Sequence, residues 1–174
     1  MIDLTSTETT NLDRYGHEEL PWSRALRLLS DSPHGIEVPF FLGTADAVGT
    51  PYAAGIGAVW CDDDVYFTSN PRMRKARNLA VRPACTISVR LPGLDVVLEG
   101  EACRTTDRDT LERLAGLYRE GGWPAEVEGD AIGAPFSAPS AGPGPWHLYR
   151  FTFHTVTGVA AEPPHGATRW RFGS

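Results

Sequence analysis

Cys85, Ile87, Val89 and Leu91 alternate with Thr86, Ser88 and Arg90, a period of two that predicts a strand with one buried face. Val96, Val97 and Leu98 carry a second strand over Asp95 to Arg104, and Pro92-Gly93 between the two reads as a hairpin turn. Upstream, Val38, Phe40 and Leu42 alternate with Pro39, Phe41 and Gly43 up to a turn at Asp46-Ala47-Val48-Gly49. Thr50 to Trp60 then reads as one further strand, in which Gly55 and Gly57 permit either barrel curvature or the close approach of a flat ligand. A polar turn, Cys61 to Asp64, leads into Val65-Tyr66-Phe67-Thr68, and Tyr149, Phe151 and Phe153 alternate with Arg150, Thr152 and His154 in a last strand. His154 is expected to be a structural histidine there, and Thr168-Arg169-Trp170-Arg171-Phe172 is left as a tail.

Three segments change period from 2 to 3.6. Trp22, Ala25, Leu26 and Leu29 predict a helix over Pro21 to Ser30, with Pro33 just past its end. A second helix is predicted from Asn70 as N-cap and Pro71 as first residue through Ala80. A third starts at Thr106 to Asp109, buries Leu111, Leu114, Ala115 and Tyr118, and stops at Gly121-Gly122. Gly133 to Trp146 reads as a Pro/Gly/Ala/Ser-rich loop, too short for a linker and expected to be ordered by what it covers. Many strands with few helices predict a mainly β fold, an antiparallel barrel. Residues 1–17 are expected to be a flexible N-terminal arm and 18–174 a single domain, in keeping with a length of 174 residues.

Composition removes several functions. A hydrophobic fraction of 41% with no apolar run near the roughly 20 residues of a membrane span predicts a cytoplasmic protein without membrane contact. A net charge of -6 disfavours nucleic acid. The three cysteines and five histidines are scattered, without the spacing of a metal site or a disulfide framework, so no metal is expected.

The basic residues are clustered all the same. Arg72, Arg74, Lys75, Arg77 and Arg82 crowd one segment, and Lys75 is the only lysine in the chain. Tyr66-Phe67-Thr68-Ser69 runs straight into that segment. Hydroxyls and cations beside the free N–H groups of a helix start make an anion pocket suited to a phosphate, although a solvated basic helix face has the same composition.

These features in this order resemble the pyridoxamine phosphate oxidase-like superfamily of flavin-binding split β-barrels, in particular its deazaflavin-dependent branch. The resemblance runs from about Pro39 to Phe172. It is carried by Gly49-Thr50-Pro51, Ala58-Val59-Trp60, Tyr66-Phe67-Thr68-Ser69 and Arg74-Lys75-Ala76-Arg77-Asn78-Leu79-Ala80, with Ser140 to Pro145 and the Thr168-Arg169-Trp170-Arg171-Phe172 ending closer to the deazaflavin branch. It implies a split β-barrel of antiparallel Greek-key type that works as a homodimer with cofactor sites at the subunit interface. Thr68, Ser69, Arg74 and Lys75 would hold the cofactor phosphate, with Asn78 shaping the helix. Thr50, Pro51, Ala58, Val59 and Trp60 would flank the ring, and Trp146, Arg169 and Trp170 would come from the partner chain. For Trp170 and Phe172, packing in the core is an equal expectation.

The implied activity is that of an oxidoreductase, moving a hydride between bound coenzyme F420 or FMN and a small organic substrate, with no catalytic residue identifiable. The C-terminal Arg-x-His pair of the true pyridoxamine phosphate oxidase is missing, which disfavours vitamin B6 oxidation. Together with the short Arg-Trp-Arg-Phe ending, that favours F420, whose acidic tail could extend along Arg72, Arg77 and Arg82. The alternative is a non-catalytic flavin-, deazaflavin- or tetrapyrrole-binding protein on the same barrel.

Overall fold

The computed structural model describes residues 6–32 and 38–173, so Pro33 lies outside the described residues. The chain runs β1 (Ser6–Asn11), α1 (Trp22–Ser30), β2 (Phe40–Ala45), β3 (Pro51–Ile56), β4 (Ala58–Cys61), β5 (Asp64–Ser69) and α2 (Arg74–Val81). It continues through β6 (Ala84–Leu91), β7 (Leu94–Thr105), α3 (Arg108–Glu120), β8 (Glu126–Glu128), β9 (Ala131–Gly133), β10 (His147–Ala160) and β11 (Ala167–Phe172).

The fold is mainly β, an antiparallel split barrel organised by β10. One edge of β10 pairs with β7 over its whole length. Its other edge pairs first with β5, from His147 to Phe151, and then with β11, from Thr155 to Val159. The sheet divides at that point, and the main path reads β1-β11-β10-β7-β6-β2-β3. Phe67, Phe151, Phe153, Leu42, Ile87, Leu98 and Trp170 fill the space enclosed, all under 3% exposed. Under α3 a smaller cluster joins Val59, Leu111, Leu114, Ala115, Tyr118, Ile132 and Leu148. Asp107 caps α3 by accepting from the Thr110 amide at 2.9 Å, and the buried face of the helix is the one that the 3.6-residue spacing marks.

Four expectations need correction. The N-terminal arm is not loose throughout, because Ser6–Asn11 pairs with β11. Its Thr-rich, mostly exposed side chains carry no burial pattern, so it is pairing with β11, supported by the Arg171–Glu8 ion pair, that places it. The expected tail is β11, paired on both sides. Thr50 to Trp60 is two strands, broken at Gly57, since β3 pairs with β2 whereas β4 turns to pair with β5. The Cys61–Asp64 turn then closes through Asp62 and Asp63, both at positive φ, which suits the twist of a two-residue hairpin. Finally, α2 starts at Arg74 rather than at Asn70-Pro71. The Asn70 side chain accepts from the Arg72 amide at 2.8 Å, closing an Asx turn ahead of the helix instead of capping it.

Candidate functional site

Helix α2 lies across β2 and β3, and the sequence explains why. Ala76, Asn78 and Leu79 are its buried positions, and Asn78 Nδ2 donates to Thr44 Oγ1 of β2 at 3.0 Å. Its first turn is held as well. The Arg74 guanidinium sits 4.8 Å from the centre of the Tyr52 ring on β3 and 3.9 Å from Asp46 in the β2–β3 turn. Asp46 Oδ1 accepts from the Thr50 and Val48 amides, and the Thr50 amide above all holds this carboxyl below the usual carboxylate range. Lys75 follows, half-buried, with no carboxylate in salt-bridge range among the described residues. Burial pushes its ammonium below the ordinary lysine value. A half-buried, uncompensated cation at a helix start is a place for an anion.

Beside this rim an open groove of about 560 Å³ runs over the outer face of the sheet. Gly43, Ala45, Ala53 and Gly100 keep its floor low, and Thr86, Glu99 and His154 supply polar groups. Tyr52 and Thr44 belong both to the groove and to the contacts of α2, so the cationic helix start and the groove adjoin.

The expected site residues divide into groups. Thr50, Pro51, Arg74, Lys75 and Asn78 gather at the rim. Thr68 and Ser69 end β5 ahead of α2, with Ser69 buried and donating to the Asn70 carbonyl at 3.2 Å. Nearby, the Tyr118 hydroxyl of α3 donates to the Gly57 carbonyl at 3.2 Å. Ala58 and Val59 point their side chains into the two cores, leaving only their backbone for a ligand, and Trp60 packs near Phe153 at 5.9 Å.

Trp146 and Trp170 are buried within their own chain. Trp146 is 3% exposed, packs edge-on to Trp123 at 5.4 Å and donates to the Ala141 carbonyl. Trp170 is 1% exposed and donates to the Leu20 carbonyl beside Trp22. These two indoles are fixed where large aromatics bury most surface, so neither is presented to another chain. Arg169, by contrast, lies on the outer face of β11, and its Nε is buried without a partner among the described residues. Three strands separate β11 from β2 in the sheet order, and Arg169 does not line the groove. Arg169 therefore does not join the rim of its own chain.

The Gly133–Trp146 loop is ordered by three tethers. Asn70 Nδ2 donates to the Pro143 carbonyl at 2.7 Å, and the Trp123 and Trp146 indoles donate to the Phe136 and Ala141 carbonyls. Sequence reasoning missed Thr44, Asp46, Tyr52, Thr86, Glu99 and Gly100. The alternation of β2 and β6 places Gly43 and Thr86 on the outer face, but that the two strands adjoin is visible only in the sheet.

The family model for pyridoxamine 5'-phosphate oxidase matches residues 37–160, most of the chain. The protein belongs to the pyridoxamine 5'-phosphate oxidase family. Solved structures similar to this family member include a NimC/NimA family protein from Clostridium acetobutylicum, at 18% identity and a TM-score of 0.56, covering 84% of this chain and 91% of that one. A FAD-binding protein from Mesorhizobium loti aligns at 18% identity and a TM-score of 0.55 over 87% and 95% of the two chains. A heme binding protein from Mycobacterium smegmatis aligns at 14% identity and a TM-score of 0.60 over 86% of this chain and 58% of that one. At these identities the likeness is one of fold. No curated protein matches the chain. Among the described residues no helix is long and apolar enough to cross a membrane, and no group of three or more His, Cys, Asp or Glu side chains is arranged to hold a metal ion.

Proposed function

We propose that this protein is an oxidoreductase that binds a flavin-type cofactor along the rim formed by α2 and β3, with the groove beside it open to a small organic substrate. The observation that carries this reading is Lys75: half-buried, with no carboxylate in range among the described residues, next to Arg74 at the start of a helix that the Asn78–Thr44 hydrogen bond ties to the sheet. Arg74 and Lys75 would hold the cofactor's phosphate, with Ser69 and Thr68 alongside, and the small side chains of β3 would let a flat ring lie close. When bound, the cofactor supplies hydride chemistry, and the protein supplies position, charge and exclusion of water. Family membership and the FAD-binding fold relative support a flavin-type group. Within that class the preferred ligand is F420. Arg72, Arg77 and Arg82 are exposed and free of salt bridges among the described residues, a track for an acidic tail that FMN lacks.

The protein works as a homodimer in this reading, in the cytoplasm, with the outer sheet face as the contact. Phe41 and Val97, 49% and 39% exposed, make that face apolar at its centre. Arg169, remote from the rim of its own chain, would approach the rim of the partner from the same face. Sedimentation velocity tests this: a dimer is expected, and a monomer in V97D.

Titration with F420 and with FMN tests the cofactor. Saturable binding in the micromolar range or tighter is expected, with a loss of at least tenfold in R74A/K75A. FMN binding without F420 binding would reverse the preference, and unchanged affinity in the double variant would remove the anion site. A second reading, a tetrapyrrole carrier without turnover, has the heme binding relative in its favour. Saturable heme uptake together with no hydride transfer from either reduced cofactor would establish it.

A further inference from the structure

Strict alternation along β10 leaves His154 as one more outward residue of a regular strand, and the pairing is not regular there. Phe153 faces Gly100 and Thr155 faces Glu99, so His154 is an extra residue, a β-bulge. Gly100 makes room for it. A Cβ at that position would lie 2.1 Å from the Thr152 carbonyl oxygen and 2.7 Å from Phe153 Cα, both of them backbone. Bulges re-aim side chains, and this one turns His154 into the groove with Glu99 and Thr86. Its Nδ1 lies 3.0 Å from Thr155 Oγ1, a hydroxyl belonging to a residue only 8% exposed. That contact orients the ring and leaves Nε2 as the nitrogen without a protein partner among the described residues.

The charged and titratable groups facing this ring come from every neighbouring strand. Glu99 and Glu101 of β7 share its face. Arg171 of β11, opposite Thr155, is paired at 3.0 Å with Glu8 of β1. Cys85 of β6 also lines the groove, and burial pushes its thiol up to about 12, so it stays neutral.

Resting on the oxidoreductase reading above, we propose that His154 is a catalytic residue, giving a proton from Nε2 to the carbonyl oxygen of a conjugated carbonyl compound, a quinone or enone, held in the groove. The substrate gains a hydride with its electron pair from the reduced cofactor, which is thereby oxidised by two electrons. The carbonyl oxygen becomes anionic as the hydride arrives and takes the Nε2 proton. The neutral imidazole then recovers a proton from water at the open side of the groove.

The test uses the whole chain loaded with F420 or FMN, whichever binds, and menadione as acceptor. In single turnover of the reduced cofactor, H154Q is expected to be about a hundredfold slower than wild type. Cofactor affinity is expected to stay within about twofold, since the phosphate sits with Arg74 and Lys75. A second readout needs no turnover. In the 1H–15N spectrum of the histidine rings, the Nε2 signal lost in H154Q should move when menadione is added to protein holding the oxidised cofactor. An unmoved signal, an unchanged rate in H154Q, or a fall in affinity that accounts for the fall in rate would each overturn the proposal while leaving cofactor binding intact. Failure of wild type to bind either cofactor would remove the oxidoreductase reading and this inference with it.

Discussion

Asn78 donates from Nδ2 to Thr44 Oγ1 at 3.0 Å, and both residues are buried, 5% exposed each. This one bond ties the basic helix to the sheet beneath the groove. Asn78→Leu leaves the Thr44 hydroxyl without that partner, at a cost of about 1–3 kcal/mol. T44V/N78L should recover part of that loss, because both polar groups then leave together. Urea unfolding of the two single variants and the double variant checks this, and strictly additive effects would show that the bond is not the cause.

Burial lowers the Lys75 pKa in the free protein, and a bound phosphate would raise it again. Anion affinity is therefore full while Lys75 is protonated and falls as pH rises through its lowered value, below the ordinary lysine range. Lys75→Arg keeps the charge throughout and should flatten this alkaline fall. Titration of FMN or F420 from neutral pH upward measures it, and the same slope in K75R would place the titrating group elsewhere.

The bulge opposite Gly100 leaves no space for a side chain. Gly100→Ala drives a methyl into the backbone of Thr152 and Phe153, so a loss of about 3 kcal/mol or more is expected, with His154 displaced. Gly57→Ala is the control. Nothing lies within 4 Å of a Cβ there, and its cost should stay near the roughly 0.5 kcal/mol of an ordinary surface change. Thermal unfolding of both variants gives the comparison, and a stable G100A would mean that the bulge relaxes without strain.

Asp64 is 1% exposed and is bound at one oxygen by the Arg150 guanidinium at 2.6 Å, while its Oδ1 has no partner among the described residues. Arg150→Ala leaves that carboxylate inside without compensation. A loss of about 1–3 kcal/mol at neutral pH is expected, the cost of leaving one buried group without its partner, since the Arg150 side chain is itself half-exposed. It should shrink in D64N/R150A, where no charge is stranded, and an equal loss in both would deny the pair its role.

The parts of this protein that local spacing decides are legible in the order of residues by itself. Leu111, Leu114, Ala115 and Tyr118 mark the buried face of α3, and Cys85 to Leu91 followed by Pro92-Gly93 marks the β6–β7 hairpin. Burial periodicity and turn chemistry act over a few residues, so no distant contact is needed to read them. The cluster around Arg74 and Lys75 is equally plain, because a lone lysine among crowded arginines is a fact of composition.

Tertiary structure decided what depends on which strand lies beside which. Asn70 reads as a helix cap by type, yet its carboxamide is drawn into an Asx turn and onto the Pro143 carbonyl, 73 residues away in sequence. Trp170 has the same alternation whether it meets a ligand or the core, and only the contacts with Trp22 and Leu20 choose the core. His154 became a groove residue because β7 offers a glycine where β10 carries one residue too many, a mismatch between two chain segments that neither segment contains alone. Burial is periodic along one strand, but register is a property of pairs.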